Sequence, residues 1–395
     1  MIRGTQSSNP QLSHKTPRET QNLAPAMEEA AAAGAEPLQQ QNQSEQQNDA
    51  RIAIIELANM MSVPMSLHAV VVLKVPDAIW QSGSNTPLSA SRILSLLPSP
   101  ASASSSASNL QRLLRLLSSH GVFHEHVLEG ERRYSLTDVG KTLVTDQDGL
   151  SYGAYVLQHH QDALVRSWPL IHEAVLDPTV EPFAKANGIS AYSYYGERSE
   201  MNELMQRSMT GVSVPFMRAM MDGYVEGFDG VDRLVDVGGS SGACLKMIME
   251  RNPHVREGIN FDLPEVVAKA PNIPGVTHVG GDMFKSIPSG DAIFMKWILT
   301  TWTDDECKVI MKNSYDALPE KGRLIACDPV LPEETDSSHR TRALLAGDIF
   351  VMTIYRAQGK HRTEEEFRQL GLSVGFTGFR AIYLDHFYTV LEFQK

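Results

Sequence analysis

Leu234-Val235-Asp236-Val237-Gly238-Gly239-Ser240-Ser241-Gly242 decides the fold. A short apolar run carrying one acid passes straight into a glycine-rich turn, the pattern of a buried strand giving way to a helix. Three further runs of the same kind follow: Ile259-Asn260-Phe261-Asp262, Ala292-Ile293-Phe294-Met295 and Leu324-Ile325-Ala326-Cys327, with helix-like stretches between them. Strands that alternate with helices are joined by right-handed crossovers and build a mostly parallel sheet covered on both faces. The prediction is an α/β, Rossmann-like domain over residues 205–395.

The turn lets backbone N–H groups approach a ligand closely. Dinucleotide enzymes use a similar turn, but their pyrophosphate needs a glycine at the middle position, which here is Ser240. Asp262 follows about 20 residues later at the end of the second run, where a carboxylate can accept both hydroxyls of a ribose. With Leu263-Pro264-Glu265 behind it, the same residue can instead cap a helix. Asp282-Met283 ends another run and offers an acid for an adenine amine and an apolar side chain to cover the ring. Taken alone, that pair also reads as ordinary loop.

Towards the N-terminus the composition changes. Residues 1–49 are Gln, Ser, Asn, Ala and Glu with almost no large apolar groups, too little to offset the entropy of ordering, and are predicted to be a disordered tail. Its serines with Arg3, Lys15 and Arg18 permit a transit-peptide reading, which Glu19, Glu28 and Glu29 oppose. From Arg51 the pattern is helical: Ile52, Ile54, Ile55, Leu57, Met60 and Met61, then Ala69 to Leu73 and Ile79-Trp80, with joints at Pro64 and Pro76. So much apolar surface near one terminus points to burial against a second chain, an intramolecular core being the alternative. A Ser/Ala/Pro loop over residues 99–108 precedes Leu110, Leu113, Leu114, Leu116 and Leu117, an amphipathic helix stopped at Gly121. Val122-Phe123, a turn at Glu129-Gly130-Glu131 and Tyr134-Ser135-Leu136 then add a two-stranded wing. Residues 50–150 are thus expected to form a helical, winged-helix dimerisation domain, and residues 151–204 a helical linker contributing to an acceptor pocket.

With a net charge of −12 and a pI near 5.6, the chain carries no basic stripe for a phosphate backbone, so the wing is expected to pack rather than to read nucleic acid. Cys244, Cys307 and Cys327 are too few and too scattered for a zinc site or a disulfide framework. No apolar run approaches the roughly 20 residues that span a bilayer, and no secretory apolar region opens the chain. The expectation is a cytoplasmic protein with no metal, membrane or nucleic-acid partner.

Four stretches in order, Leu234 to Gly242, Asn260-Phe261-Asp262-Leu263-Pro264, Gly280-Gly281-Asp282-Met283-Phe284 and Phe294-Met295-Lys296-Trp297-Ile298, resemble the plant caffeic acid O-methyltransferase family. The likeness runs from about Arg51 to Lys395. It implies S-adenosyl-L-methionine as cofactor, a homodimer built through the N-terminal helices, and cofactor contacts at Gly239, Asp262, Leu263, Asp282, Met283 and Lys296. Met205, Met209 and Ser213 match positions around cofactor and acceptor, and the family's mid-loop glycine is Ser240 here.

The chain departs from the family where a phenol would lose its proton. The family carries a His-Asp pair after Lys-Trp and two later glutamates that orient the histidine. This chain reads Trp297-Ile298-Leu299-Thr300-Thr301-Trp302, and the glutamates fall on Asp328 and His361. A phenol with a pKa near 10 needs a positioned base, whose loss costs about 10²–10⁴ in rate. A neutral ring nitrogen presents its electron pair already free and needs only alignment. Arg356, beside Tyr355, stands where the family has an acceptor-facing Asn, and a guanidinium suits a carboxylate. Met209 and Met352 match residues that sandwich a flat ring, and His159 and His160 lie near another acceptor contact. The expected reaction is therefore methyl transfer to the ring nitrogen of a small aromatic acid, nicotinate foremost, giving N-methylnicotinate. In that reading Thr300 and Trp297 shape the wall, Arg356 holds the carboxylate, and Asp328 with His361 fixes the ring. Two alternatives stay open: a phenol O-methyltransferase with His361 as a relocated base, and a catalytically silent partner that binds cofactor and pairs with an active homologue.

Overall fold

The computed structural model describes residues 46–98 and 105–395. The expected tail up to residue 45, with its targeting reading, and residues 99–104 of the Ser/Ala/Pro loop lie outside the described residues. Residues 46–49, expected to belong to the tail, form the start of a helix, Gln46–Ala58. It lies in the smaller of two compact units, the one that ends at Ser62. On it Ile52, Ile54, Ile55 and Leu57 are each about 60% exposed. Among the described residues no single helix is long and apolar enough to cross a membrane.

The second unit, residues 63–395, begins with the helical and winged part. The helix Ala107–Ser119 is capped by Ser106, whose side chain accepts from the Asn109 N–H, and buries Leu110, Leu114 and Leu117 along one stripe. The expected wing is β2 (Phe123–Leu128) and β3 (Glu131–Leu136), and a short β1 (Leu88–Ser89) pairs with β3. Phe123, Tyr134 and Leu136 from the wing close the core over the leucines.

The larger sheet contains β4 (Arg233–Val237), β5 (Glu257–Asp262), β6 (Val276–Gly280), β7 (Ala292–Lys296), β8 (Arg323–Leu331), β9 (Arg362–Thr363), β10 (Gly378–Ile382) and β11 (Tyr388–Gln394). Its order is β10-β11-β8-β7-β4-β5-β6, with β9 alongside β8. Strands β4 to β8 pair in parallel, whereas β10 and β11 form an antiparallel hairpin that joins β8. Side chains alternate between two cores, as strands buried on both faces require. Val235, Val237, Ile293, Met295, Leu324 and Ala326 pack on one face beneath the helices Asp304–Ala317 and Glu364–Val374. Leu234, Phe294, Ile325 and Cys327 pack on the other against Met217 and Met220 of the helix Ser199–Gly223.

The first strand of this domain, β4, has β5 on one side and β7 on the other, so connections leave it in opposite directions. At such a switch point a crevice opens beyond the carboxyl ends of parallel strands. Residues 238–242, Asp262, Asp282, Lys296 and Asp328 all come from those ends.

Candidate active site

The glycine-rich turn is held by its own neighbours. Asp236 and Asn260 face each other in the β4–β5 register and are both buried. A Cβ on Gly239 would sit 2.2 Å from Asn260 Oδ1 and 2.6 Å from Asp236 Oδ2, so this position admits glycine alone. Ser240, in place of the family's glycine, takes a left-handed backbone at φ +52°. Two side chains hold it there: the Ser240 N–H donates to Asp262 Oδ2 at 2.9 Å, and Asn260 Nδ2 donates to the Ser240 carbonyl at 2.8 Å. The other Asp262 oxygen accepts from the Leu263 N–H at 2.7 Å, and the helix Pro264–Val267 starts after Leu263 without a side-chain cap. Asp262 therefore anchors the turn instead of capping a helix.

Asp236 Oδ2 and Asn260 Oδ1 have no hydrogen-bond partner. Burial pushes the Asp236 carboxyl up to about 7, the Asp262 carboxylate pushes the same way, and the Lys296 ammonium opposes both. Unpaired buried acceptors beside a ligand-sized turn fit a ligand that carries a cationic group, as S-adenosylmethionine does. Lys296 itself lies 5.6 Å from the Trp297 ring and 5.1 Å from the Tyr388 ring. Trp297 follows β7 at φ +58°, a conformation that a bulky side chain rarely adopts, and its N–H donates to the Cys327 carbonyl. Asp282 accepts from the Phe284 N–H and pairs with Lys285, leaving its carboxylate at the surface of the crevice, while Met283 packs on the core below and Leu263 is half exposed.

On the acceptor side, Thr300 is fully buried in a tight turn, Leu299–Thr301, and its N–H points to Asp328 Oδ1 at 3.4 Å. Burial pushes the Asp328 carboxyl up to about 7, against the Thr300 N–H and the nearby Arg362 and Lys296 cations. Thr300 Oγ1, Asp328 Oδ2 and His361 Nε2 are all buried without partners. His361 Nδ1 lies 3.1 Å from the Leu344 carbonyl, which it meets as an N–H donor in the neutral ring, so Nε2 carries the lone pair. Burial lowers this histidine to about 4 and Arg362 adds to the effect. His361 and Asp328 do not hydrogen-bond each other: the ring is tied to Leu344, and Asp328 Oδ2 and His361 Nε2 each lack a partner.

Arg356 already has acids of its own as partners. Its Nη2 donates to both oxygens of Glu306 at 3.1 and 3.3 Å, its Nε lies 3.7 Å from Glu181, and the guanidinium covers the Trp302 ring at 5.1 Å. One cation thus already faces two carboxylates, which would compete with an acceptor's acid group for it. The two histidines also part company, since successive helical residues diverge by about 100°. His159 stacks on Phe350 at 4.0 Å and is lowered to about 3 by burial, whereas His160 turns to His68, 6.1 Å away, and is lowered by burial as well. Met352 and Tyr355 project from a π-turn, Val351–Tyr355, and the Tyr355 ring meets Phe350 and Tyr192. Met205, Met209 and Ser213 recur every fourth residue on the helix Ser199–Gly223 and so share one face.

Several groups escaped the sequence reading. Asn260 was within reach of it, because it stands two residues before Asp262 and a strand repeats its faces every second residue. Thr389, opposite Asp328 in the β8–β11 register with its own unpartnered Oγ1, carried no such signal. Nor did Arg362, fully buried, which donates to the carbonyls of Leu299 and Trp302 and to Asp304 and so clamps the Thr300 turn. The crevice thus has a carboxylate-rich half and an aromatic and methionine-walled half whose histidines are neutral. Such a site can bind a cationic cofactor beside a flat ring and align the two.

Residues 168–377 match the O-methyltransferase domain, and residues 55–146 match the O-methyltransferase dimerisation domain. Nicotinate N-methyltransferase 1 of Glycine max is 69% identical over 91% of this chain and 100% of its own length. The protein of the same name from Arabidopsis thaliana is 69% identical over 89% of this chain and 99% of its own. Caffeic acid 3-O-methyltransferase of Zea mays is 39% identical over 86% and 94%. Among solved structures, human N-acetylserotonin methyltransferase in complex with S-adenosylmethionine superposes with a TM-score of 0.72 at 19% identity, covering 88% of this chain and 97% of its own. CalO1, a methyltransferase of calicheamicin biosynthesis bound to S-adenosylhomocysteine, gives 0.73 at 24% identity, covering 87% and 98%. At these identities the two structures speak for the fold. By its domains and by its relatives, the chain belongs to the O-methyltransferase family, with the family's dimerisation domain ahead of its catalytic domain.

Proposed function

We propose that this chain uses S-adenosylmethionine to methylate the ring nitrogen of nicotinate, giving N-methylnicotinate. The observation that carries the reading is Thr300: the residue beside Asp328 ends in a hydroxyl, which takes no proton near neutral pH. His361, lowered to about 4 and tied to Leu344, is a poor base for a phenol as well. The curated relatives at 69% identity, which this chain covers over 99–100% of their length, carry the nicotinate N-methyltransferase name.

Bound S-adenosylmethionine supplies a methyl group activated by a sulfonium. Gly239 would admit close backbone approach, Asp236, Asn260 and Asp262 would offer oxygens to its ammonium and hydroxyl groups, Asp282 an oxygen to its adenine amine, and Met283 an apolar cover for the ring. Trp297, Met209, Met352 and Tyr355 confine the acceptor ring. The ring nitrogen arrives unprotonated, so alignment and water exclusion do the work, worth roughly 7–11 kcal/mol of barrier in favourable cases. Transfer moves positive charge onto the ring, and Asp328, able to ionise near neutral pH, is suited to face it.

The exposed isoleucines and leucine of Gln46–Ala58 and the dimerisation domain support a homodimer, which size-exclusion chromatography with light scattering tests. The same reading puts the protein in the cytosol, which cell fractionation tests. For the activity, the purified protein is offered nicotinate and caffeate separately with methyl-labelled cofactor. Label in N-methylnicotinate is expected, and transfer to caffeate alone refutes the proposal.

A further inference from the structure

A cavity lies outside the crevice, where the winged part meets the helix Ser199–Gly223. Lys74 makes the bend between the helices Ser62–Val72 and Val75–Gln81 at φ +61°, a conformation rare for a residue that carries a side chain. The cavity beside it holds about 140 Å³, and Val71 and Leu143, both buried, with Leu157 and Leu204 give it an apolar floor. A second hollow of about 260 Å³ shares Lys74, Asp77 and Thr145 with the first. It reaches the exposed Gln81 and Pro98, so a ligand has a way in from solvent.

The charges of the wall are unbalanced. Lys74 and Arg207 both line the cavity and are exposed, and neither side chain makes a hydrogen bond or ion pair among the described residues. The one carboxylate in the wall, Asp77, accepts from the Thr145 N–H at 2.9 Å. Two free cations thus face one engaged acid, on a chain whose net charge is −12. The wall is also firmly seated. Gly211, one turn beyond Arg207, lies so close to the preceding segment that a Cβ there would meet the Ser151 carbonyl at 2.7 Å.

Size and charge together name the ligand class. An apolar cavity of roughly 150 Å³ holds a benzene ring. Lysine and arginine lay their stems on apolar surface and keep their charged heads towards water, which sets both cations at the rim. A guanidinium there pairs with a carboxylate through two parallel N–H bonds. We propose that this cavity is a second ligand site, for a small aromatic carboxylate, with the ring on Val71, Leu143, Leu157 and Leu204 and the acid between Lys74 and Arg207. Leu157 and His159 are two residues apart on one helix, as Met205 and Arg207 are on the other, and two residues turn a helix by about 200°. The ligand therefore touches the two helices that carry the acceptor wall, from their far side and without entering the crevice. The site stands whichever acceptor is methylated.

The test is calorimetric titration of the full-length protein, saturated with S-adenosylhomocysteine, with benzoate, benzyl alcohol and sulfate. Benzoate is an aromatic acid and can also enter the acceptor crevice, so the reading is the difference between the wild type and the variants Lys74→Glu and Arg207→Glu. Two benzoate events are expected in the wild type, one of them weakened at least about tenfold in each variant. Benzyl alcohol, a ring without charge, and sulfate, a charge without a ring, should bind at this site at least about tenfold more weakly than benzoate. Both altered residues are exposed, so the variants should fold, and their turnover without benzoate should match the wild type. Benzoate binding that is the same in the wild type and both variants overturns the proposal, as does benzyl alcohol or sulfate binding as tightly as benzoate. Loss of turnover in both variants overturns the separation of this site from the crevice. A wild type inactive on nicotinate would refute the acceptor reading alone and leave the benzoate titration to decide this site.

Discussion

Lowering the pH from 8 to 6 should weaken cofactor binding about tenfold, and Asp236→Asn should remove that dependence. Asp236 is buried at the end of β4, and Oδ2 has no partner. Burial, with Asp262 adding to it, holds the carboxyl at about 7 in the folded chain against an ordinary 3.8. A cationic ligand needs the ionised form, so the apparent Kd scales as one plus the ratio of protonated to ionised acid. That factor is about 1.1 at pH 8, about 2 at pH 7 and about 11 at pH 6, a loss of roughly 1.4 kcal/mol over two pH units. The sign for stability is opposite in the ligand-free protein. An acid whose folded pKa lies above its unfolded value binds an extra proton between about pH 4 and 7, so stability falls as pH rises through that window. Titration calorimetry with S-adenosylhomocysteine at pH 8, 7 and 6 reads the first effect. A wild-type Kd constant over this range, or an Asn variant with the wild-type slope, would show that Asp236 does not meet the cation.

Ser240→Gly should raise the urea midpoint without changing the slope: relief of the left-handed serine is worth about 1–2 kcal/mol and the added chain freedom removes about 0.5–1, so a net loss of stability would contradict the strain at φ +52°. Arg362→Met leaves the Leu299 and Trp302 carbonyls without their donor and should cost about 3 kcal/mol in urea unfolding, with less than about 1 kcal/mol refuting the clamp. His361 is neutral above about 4, so the pH profile of kcat on nicotinate should show no limb that His361→Ala removes between pH 6 and 7, where an ordinary histidine titrates. A limb there that His361→Ala abolishes would restore this residue as a base.

What could be seen in the chain alone follows from periodicity. Alternating runs and turns imply a parallel sheet, and a parallel sheet puts the ends of its strands on one edge. Asp262 and Asp282 were therefore legible on one edge, while Lys296, Asp328 and the replacement of the family's His by Thr300 were read from the family resemblance. The hairpin of β10 and β11 was not foreseen, although β11 delivers Thr389 to Asp328. Pairings across the fold were also invisible: Arg356 meets Glu306 at a separation of 50 residues, Gln158 meets Tyr195 at 37, and His361 meets Leu344 across 17. No local pattern records which distant group a side chain will touch. The sequence determined the sheet and the cofactor edge, because those depend on residue order and strand period, and it showed the missing base through the resemblance to the family. Tertiary packing alone decided that Arg356 already faces two acids and that His361 is neutral and tied to Leu344, because burial and partners exist only once the chain has closed on itself.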